Sequence, residues 1–349
     1  MLSFLIFLSS GLFLGWSLGA NDGANIFGTA VGTRMLRFKT AAVIASIFVI
    51  MGAVFAGEGT TKTLNELGNI NTMVGAFAVE LAAAIAVYLM VRTKVVTSTS
   101  QAIVGAIIGW NIYSGKATDF SLVSTIAVTW IVSPIIAGIL AIGLFYLTKL
   151  ILKKCNISLL RQDSYTRIGL ILAGAFSAYA LGANNISNVM GAFVASNKLS
   201  GLPLFGLFTL TPTQVLFLLG AIFVGIGIFT YSHNNMNTVG HDVMQMSPAT
   251  ALVVVIAQAM VLFLFASPVI HSWLIAHNLP TIPLVPISSS QAVIGAVMAI
   301  GLIKGGHGIN WKVVSRLAIG WIATPIISAI ICHISLFILA NVFNLHVYN

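Results

Sequence analysis

The sequence predicts an all-α polytopic membrane protein: an inverted-topology repeat with broken and re-entrant helices and roughly 10–12 transmembrane segments. Three observations predict it: charge is too scarce for water, long apolar runs recur along the chain, and two polar cores each occur twice. Of 349 residues, 58% are hydrophobic and 7% charged, where a soluble domain carries roughly 25% charged residues. Sixteen Lys+Arg and seven Asp+Glu cannot cover a soluble exterior of this size. A mean hydropathy of +1.03 requires an exterior that faces something as apolar as the core. This excludes a cytosolic enzyme, a secreted disulfide scaffold, a disordered chain and a coiled coil. The runs are continuous rather than alternating, which excludes a β-barrel.

Taken in order, the expected spans are 2–33, 40–57, 73–91, 95–111, 121–148, 168–197, 212–231, 248–270, 287–303 and 317–345. The first and sixth exceed one plain helix, and each is expected to be interrupted at a polar, Gly-rich stretch. The fourth and ninth open on similar polar stretches. The N-terminal apolar stretch Phe4–Trp16 has no basic segment before it, so it reads as a first span rather than a cleaved signal. With the N-terminus outside and one net crossing per segment, the inner loops hold Arg34, Arg37, Lys39, Arg92, Lys94, Lys149, Lys153, Lys154, Arg161, Arg167, Lys304, Lys312 and Arg316. The outer loops hold Lys62, Lys116 and Lys198. That asymmetry fits the positive-inside tendency of a plasma (cytoplasmic) membrane protein, with both termini on the outer side. The net charge of +9 therefore records topology. The bases form no patch interleaved with aromatics, and no nucleic-acid partner is expected.

The most basic inner stretch, 149–167, divides the chain into a first repeat (1–148), a cytoplasmic linker (149–167) and a second repeat (168–349). Five crossings per half start the second half from the opposite side, so homologous halves must be inverted. Three collinear matches carry the homology. Gly19, Ala20, Asn21, Asn25 and Gly28 match Gly182, Ala183, Asn184, Asn188 and Gly191. The run 52–59 aligns with 220–227 through apolar composition. The stretch 98–109, opening Ser-Thr-Ser-Gln, matches 288–299, opening Ser-Ser-Ser-Gln, and Trp130–Pro134 spaces like Trp321–Pro325.

The duplicated polar cores indicate a transporter, because broken helices at membrane depth are tolerated where they line a cavity. Ser98, Thr99, Ser100 and Gln101, and likewise Ser288, Ser289, Ser290 and Gln291, precede apolar runs. Ser and Thr cap helix N-termini. Two such termini facing each other form a neutral, donor-rich cage for a tetrahedral oxyanion. The plainer alternative is helix capping with hydrogen bonding between helices. In the other core, Asp22 is a carboxylate deep in an apolar stretch, by default a functional group. Asn21, Asp22 and Asn25 supply the hard oxygens that suit Na⁺, and Asn184, Asn185 and Asn188 repeat the arrangement. The alternative there is a polar helix-breaking turn.

Other polar residues carry less. Glu80 is the second buried acid, and reads as a partner for a base, a proton carrier or a packed residue. Glu58 and Lys62 are placed to pair at the outer interface. His233, His241 and Asp242 are spaced too loosely for a zinc motif. Gly105, Gly109, Gly138 and Gly143 fall in helices and are expected to permit close packing. Cys155 and Cys332 read as free thiols. No catalytic motif is visible, so neither an enzyme nor a cofactor is expected.

At the two polar cores the chain resembles the inorganic phosphate transporter (PiT) family of sodium- or proton-coupled symporters. The resemblance lies in Gly19–Asn25 with Phe27–Gly32, in 98–101 and 288–291, and in Thr238-Val239-Gly240 with Pro248. It implies phosphate held between two re-entrant tips. By motif, Asp22, Asn25, Ser98, Thr99, Ser100, Ser288, Ser289 and Ser290 would lie at the anion; Gln101, Asn185, Asn188 and Gln291 join them as candidate substrate residues. It also implies Na⁺ near Asn21, Asp22, Asn25, Asn184 and Asn188, and a homodimer. Two departures stand out: Asn185 replaces the Asp usual in the second motif, and Gln101 and Gln291 stand where many members have His. The expected function is phosphate import by Na⁺ or H⁺ symport. The alternatives are a sulfate or other oxyanion permease of the same fold, and more distantly an anion channel.

Overall fold

The computed structural model describes residues 2–154, 158–204, 208–237, 239 and 242–348. Among these the chain is almost wholly helical. The first half holds α1 (Leu2–Gly32), α2 (Phe38–Ala56), α3 (Thr61–Gly68), α4 (Met73–Arg92), α5 (Thr99–Ser114) and α6 (Phe120–Lys154). The second holds α7 (Leu159–Met190), α8 (Pro212–Tyr231), α9 (His233–Asn237), α10 (Pro248–Ala266), α11 (Pro268–Ala276), α12 (Ser289–Ile303) and α13 (Trp311–Asn341). A short antiparallel hairpin pairs β1 (Leu202–Leu204) with β2 (Phe208–Leu210).

Helices dominate because lipid offers the backbone no hydrogen bonds, so each segment satisfies its own. Polar side chains fix where helices begin. Thr72 opens α4, Ser247 opens α10 with Pro248 behind it, and Thr211 opens α8 in a reciprocal capping box with Gln214. Eight described helices are long and apolar enough to cross a bilayer, and the chain is an integral membrane protein. At 16 and 15 residues, α5 and α12 reach only about 24 and 22 Å at 1.5 Å per residue. The extended stretches 95–98 and 279–288 lead into them.

The interruptions expected in the first and sixth spans are absent: α1 and α7 run unbroken through both Gly-Ala-Asn cores. The Asn and Asp side chains explain why. They bond one another and other segments, and the one bond to their own helix, from Asn185 to the Leu181 carbonyl at 3.3 Å, leaves the helical ladder intact. The breaks lie only before α5 and α12.

Helix contacts recur in equivalent pairs. α1 packs on α8 as α7 packs on α2, and α5 packs on α13 as α12 packs on α6. Gly19 lies against the Val224 carbonyl, and Gly182 against that of Val49. Gly52 meets the backbone of Tyr179, and Gly227 that of Trp16. These contacts equate Gly52 with Gly227 rather than with Gly220. The apolar match between 52–59 and 220–227 is therefore displaced by seven residues, about two helical turns. Such a displacement preserves the apolar face, so composition could not detect it. Gly105 and Gly295 pack directly on Pro325 and Pro134. Of the expected packing glycines, Gly143 is the exception, with nothing within 4 Å of the place a Cβ would take.

Two further placements differ from expectation. Lys62 pairs with Glu66 at 3.7 Å, not with Glu58. Glu80 is fully buried on α4 and forms no ion pair with a described base. Cys155, Thr238, Gly240 and His241 lie outside the described residues. Cys332 is a buried free thiol.

Substituting Gly105→Val forces a branched side chain into the Pro325 backbone, and should lower stability by about 1–3 kcal/mol. The thermal unfolding midpoint in detergent measures this. Gly143→Val on an open surface should leave the midpoint unchanged, and equal shifts would contradict the packing described.

Candidate functional site

The site forms where α1 and α7 cross the N-termini of α5 and α12. Ser98 and Ser288 cap these helices, each accepting a hydrogen bond from a backbone N–H, that of Gln101 and of Gln291, at 3.2 Å. The first-turn N–H groups of Thr99 and Ser100, and of Ser289 and Ser290, then have no partner within their own helices. Both ends carry the positive pole of a helix dipole.

Two asparagines hold the extended segments that lead to these caps. Asn21 accepts from the Thr97 N–H at 3.1 Å and donates to the Thr97 carbonyl at 2.8 Å. Asn184 accepts from the Ile287 N–H at 3.1 Å. The opposite helix completes each clamp: Ser290 donates to the Thr97 carbonyl at 2.7 Å, and Ser100 donates to the Ile287 carbonyl at 2.9 Å. The acceptor contact and the serine from the opposite half thus appear twice, but only Asn21 also donates, since the Asn184 amide nitrogen has no partner among the described residues.

Between the clamps lies a ring of side chains. Asp22 Oδ1 accepts from Asn21 at 2.8 Å and Asn25 at 2.9 Å, and Oδ2 faces the Thr99 hydroxyl at 3.4 Å. Asn185 Oδ1 accepts from Asn188 at 2.9 Å and lies 3.3 Å from the Ser100 hydroxyl, whose proton serves the nearer Ile287 carbonyl. Asn25 reaches Ser289 at 3.1 Å, and Asn188 reaches Ser100 at 2.9 Å. The most exposed members are Gln291 at 8% and Gln101 at 4%, so the site is shut off from both faces. The buried oxygens Asn25 Oδ1, Asn188 Oδ1, Gln101 Oε1 and Gln291 Oε1 have no hydrogen-bond partner. A buried polar atom left unpaired costs about 1–3 kcal/mol, so these oxygens favour a polar ligand.

The structure brings Asp22, Asn25, Thr99, Ser100, Asn185, Asn188, Ser289 and Ser290 into one cluster. Ser98 and Ser288 stand just behind it as caps, and Asn21 and Asn184 as clamps on backbone. Sequence reading missed Thr97 and Ile287, whose backbone groups the clamps grip, because backbone partners leave no residue-type signal. It also missed Thr60, whose hydroxyl lies 2.6 Å from that of Ser187 on α7. His233 packs edge-on against Phe38. No group of three His, Cys, Asp or Glu that could hold a metal occurs among the described residues.

Two helix N-termini, ringed by hydroxyls and amides and buried in a membrane bundle, form a donor-rich polar cage whose chemistry suits a small oxyanion. A polar cage of this kind binds and releases; it contains no nucleophile–base pair. The Phosphate transporter family matches residues 18–332, and the chain belongs to that family: it is a phosphate transporter and not an enzyme. A Methanocaldococcus jannaschii protein assigned as a phosphate permease is 28% identical over 314 residues, covering 90% of each chain. The Bacillus subtilis "Probable low-affinity inorganic phosphate transporter" is 28% identical over 331 residues, covering 93% of each. A solved structure, "The sodium-dependent phosphate transporter", has the same fold, with a TM-score of 0.77 at 21% identity, over 97% of this chain and 99% of that one.

Asn21→Ala removes both partners of the Thr97 backbone on α1. It should destabilise the protein by about 1–3 kcal/mol, whereas Ser98→Thr, which keeps the cap, should be nearly neutral. Thermal unfolding of both variants in the same detergent checks the difference.

Proposed function

We propose that this chain imports inorganic phosphate through the cytoplasmic membrane by symport with Na⁺, with H⁺ as the alternative coupling ion. The observation that carries the proposal is the ring itself: one carboxylate, Asp22, faces the Thr99 hydroxyl at the N-terminus of α5 and is linked through Asn25 to Ser289 at the N-terminus of α12. Phosphate takes the first-turn N–H groups of Thr99, Ser100, Ser289 and Ser290 together with the hydroxyls of Thr99 and Ser289, while the Ser100 and Ser290 hydroxyls hold backbone carbonyls. The cation sits beside Asp22, where the unpaired Oδ1 atoms of Asn25 and Asn188 face no protein donor.

The coupling follows from electrostatics. Asp22 and a phosphate dianion repel each other strongly in a dry site. A cation at Asp22 removes that repulsion, so anion and cation bind together or not at all. Asn21 and Asn184, also candidates for the cation, act mainly as clamps, since the described contacts commit their Oδ1 atoms to backbone N–H groups. Asn185 places an amide where Asp22 places a carboxylate. One full negative charge therefore serves the ring, which limits the cations it can draw. The sodium dependence for which the solved relative is named supports Na⁺ as the ion. The paired helix contacts support two inverted repeats, 1–148 and 168–349, which rock about the fixed site and expose it alternately to each side. The linker 149–167 and the basic loops then face the cytoplasm, with both termini outside.

Uptake of labelled phosphate and labelled sulfate into proteoliposomes, with imposed Na⁺ or H⁺ gradients, tests this reading. Phosphate should accumulate against its gradient when Na⁺ is high outside, and sulfate should not. Accumulation of neither anion under any gradient would refute transport, and preferential sulfate accumulation would reassign the substrate. Asp22→Asn should reduce coupled phosphate uptake by about tenfold or more, equivalent to about 1.4 kcal/mol, with the unfolding midpoint little changed. Asn185→Asp adds a second charge to the ring and should steepen the Na⁺ dependence of uptake. An unchanged dependence would make position 185 structural.

A further inference from the structure

Outside the ring, one polar side chain grips each of the two helices that carry it. Thr60 ends the 3-10 turn Gly57–Thr60 that leads into α3. Its hydroxyl donates to the Asn184 carbonyl at 3.2 Å and lies 2.6 Å from Ser187 Oγ, both on α7. Asn235 in α9 donates to the Ala20 carbonyl on α1 at 3.2 Å. All these side chains are buried. Thr60 and Asn235 are related by the same spacing that relates Gly52 to Gly227. Each grips its helix at the carbonyl of, or next to, the clamping asparagine.

The two grips act at opposite ends of the bundle. Contacts advance together along α2 and α7 and the turn beyond, from Gly52 with Tyr179 through Gly57 with Ile186 to Thr60 with Ser187, so these helices run the same way. α1 turns back into α2 within five residues (33–37), so α1 and α7 are antiparallel. The C-terminal half of α7, gripped by Thr60, therefore points away from the C-terminal half of α1, beside Asn235. On the Thr60 side a vestibule of about 700 Å³ opens among Glu58, Asn65 and Thr213. Beyond it only about 10 Å³ remains among Leu64, Ile103, Ile107 and Ser187, no more than one water needs. Leu64 on α3 lines this constriction together with Ser187, the neighbour of the ring residue Asn188, and Thr60 fastens α3's leading end.

We propose that Thr60 and Asn235 are paired positioning residues, the latches of the two gates, and that both are closed in this structure. This rests on the alternating-access reading above. Breaking the Thr60 latch frees α3 from α7 and opens the ring to the vestibule. Breaking the Asn235 latch frees α9 from α1 and opens the opposite side. The two gates compete for one equilibrium, so weakening one latch populates its own open state at the expense of the other.

The test uses the full-length chain with Cys155 and Cys332 replaced by Ser and a reporter, Ala192→Cys, at the constriction. A membrane-impermeant thiol reagent is applied from the vestibule face in proteoliposomes, without phosphate. Thr60→Val should speed labelling roughly fivefold, the value of one hydrogen bond of about 1 kcal/mol. Thr60→Ser, which keeps the hydroxyl, should restore the parent rate. Asn235→Ala should slow labelling. If Thr60→Val folds poorly, Thr60→Ala removes the same donor with the same expectation. An unchanged rate in the Thr60 variants would overturn the proposal. So would faster labelling in both the Thr60 and Asn235 variants, which is the mark of general loosening. Labelling needs no substrate, so failure of phosphate uptake would count against the transport reading alone and leave the latch result standing.

Discussion

The structure depends on how unpaired backbone is held at membrane depth. The segments before α5 and α12 leave the helical ladder where lipid offers no hydrogen bonds, and each exposed N–H or carbonyl there carries a large penalty. Asn21 meets that demand with a carboxamide that donates and accepts at once, matching the two groups of Thr97. Asn184 serves the Ile287 N–H, and Ser290 and Ser100 complete the set from the opposite half. The extended approach can be stable only because of these partners. It lets two short helices begin in the middle of the bundle with their N–H groups aimed inward.

Everything else at the site inherits this arrangement. Because the clamps cross between halves, moving one half against the other strains the same bonds that shape the cage. The ring holds a single full charge, so affinity for an anion comes from helix ends and hydroxyls rather than from Lys or Arg. A cage of that kind can release its ligand once the neighbouring cation leaves. No Lys or Arg belongs to the ring; the bases stand near helix ends and in the loops between helices.

The sequence made the class and the cage readable because polar residues are rare here. In a chain with 7% charged residues, a second Ser-x-Ser-Gln or Gly-Ala-Asn stands out against an apolar background. Polar side chains of both repeats meet in one hydrogen-bonded cluster, although Gln101 and Gln291 make no side-chain hydrogen bond within it. Residue pattern misled twice, once through apolar and once through polar residues. The match of 52–59 with 220–227 slid by two turns, since any such shift keeps Ala, Gly and Ile on the same face. Helix breaks were expected at Asn21 and Asn184, yet α1 and α7 continue through both, because these side chains direct their hydrogen bonds to another segment. Thr60 directly follows the apolar match, but the displaced register hid its counterpart Asn235, and the role of Thr60 follows only from where α3 meets α7.

The central claim is that phosphate is held between the N-termini of α5 and α12, next to a cation at Asp22. Arsenate is a tetrahedral stand-in for phosphate whose anomalous scattering locates it without ambiguity. Crystals grown with arsenate and Na⁺ should show one strong anomalous peak among Thr99, Ser100, Ser289 and Ser290, and that peak should be lost when Na⁺ is replaced by choline. A peak elsewhere in the bundle, or one indifferent to Na⁺, would contradict the account.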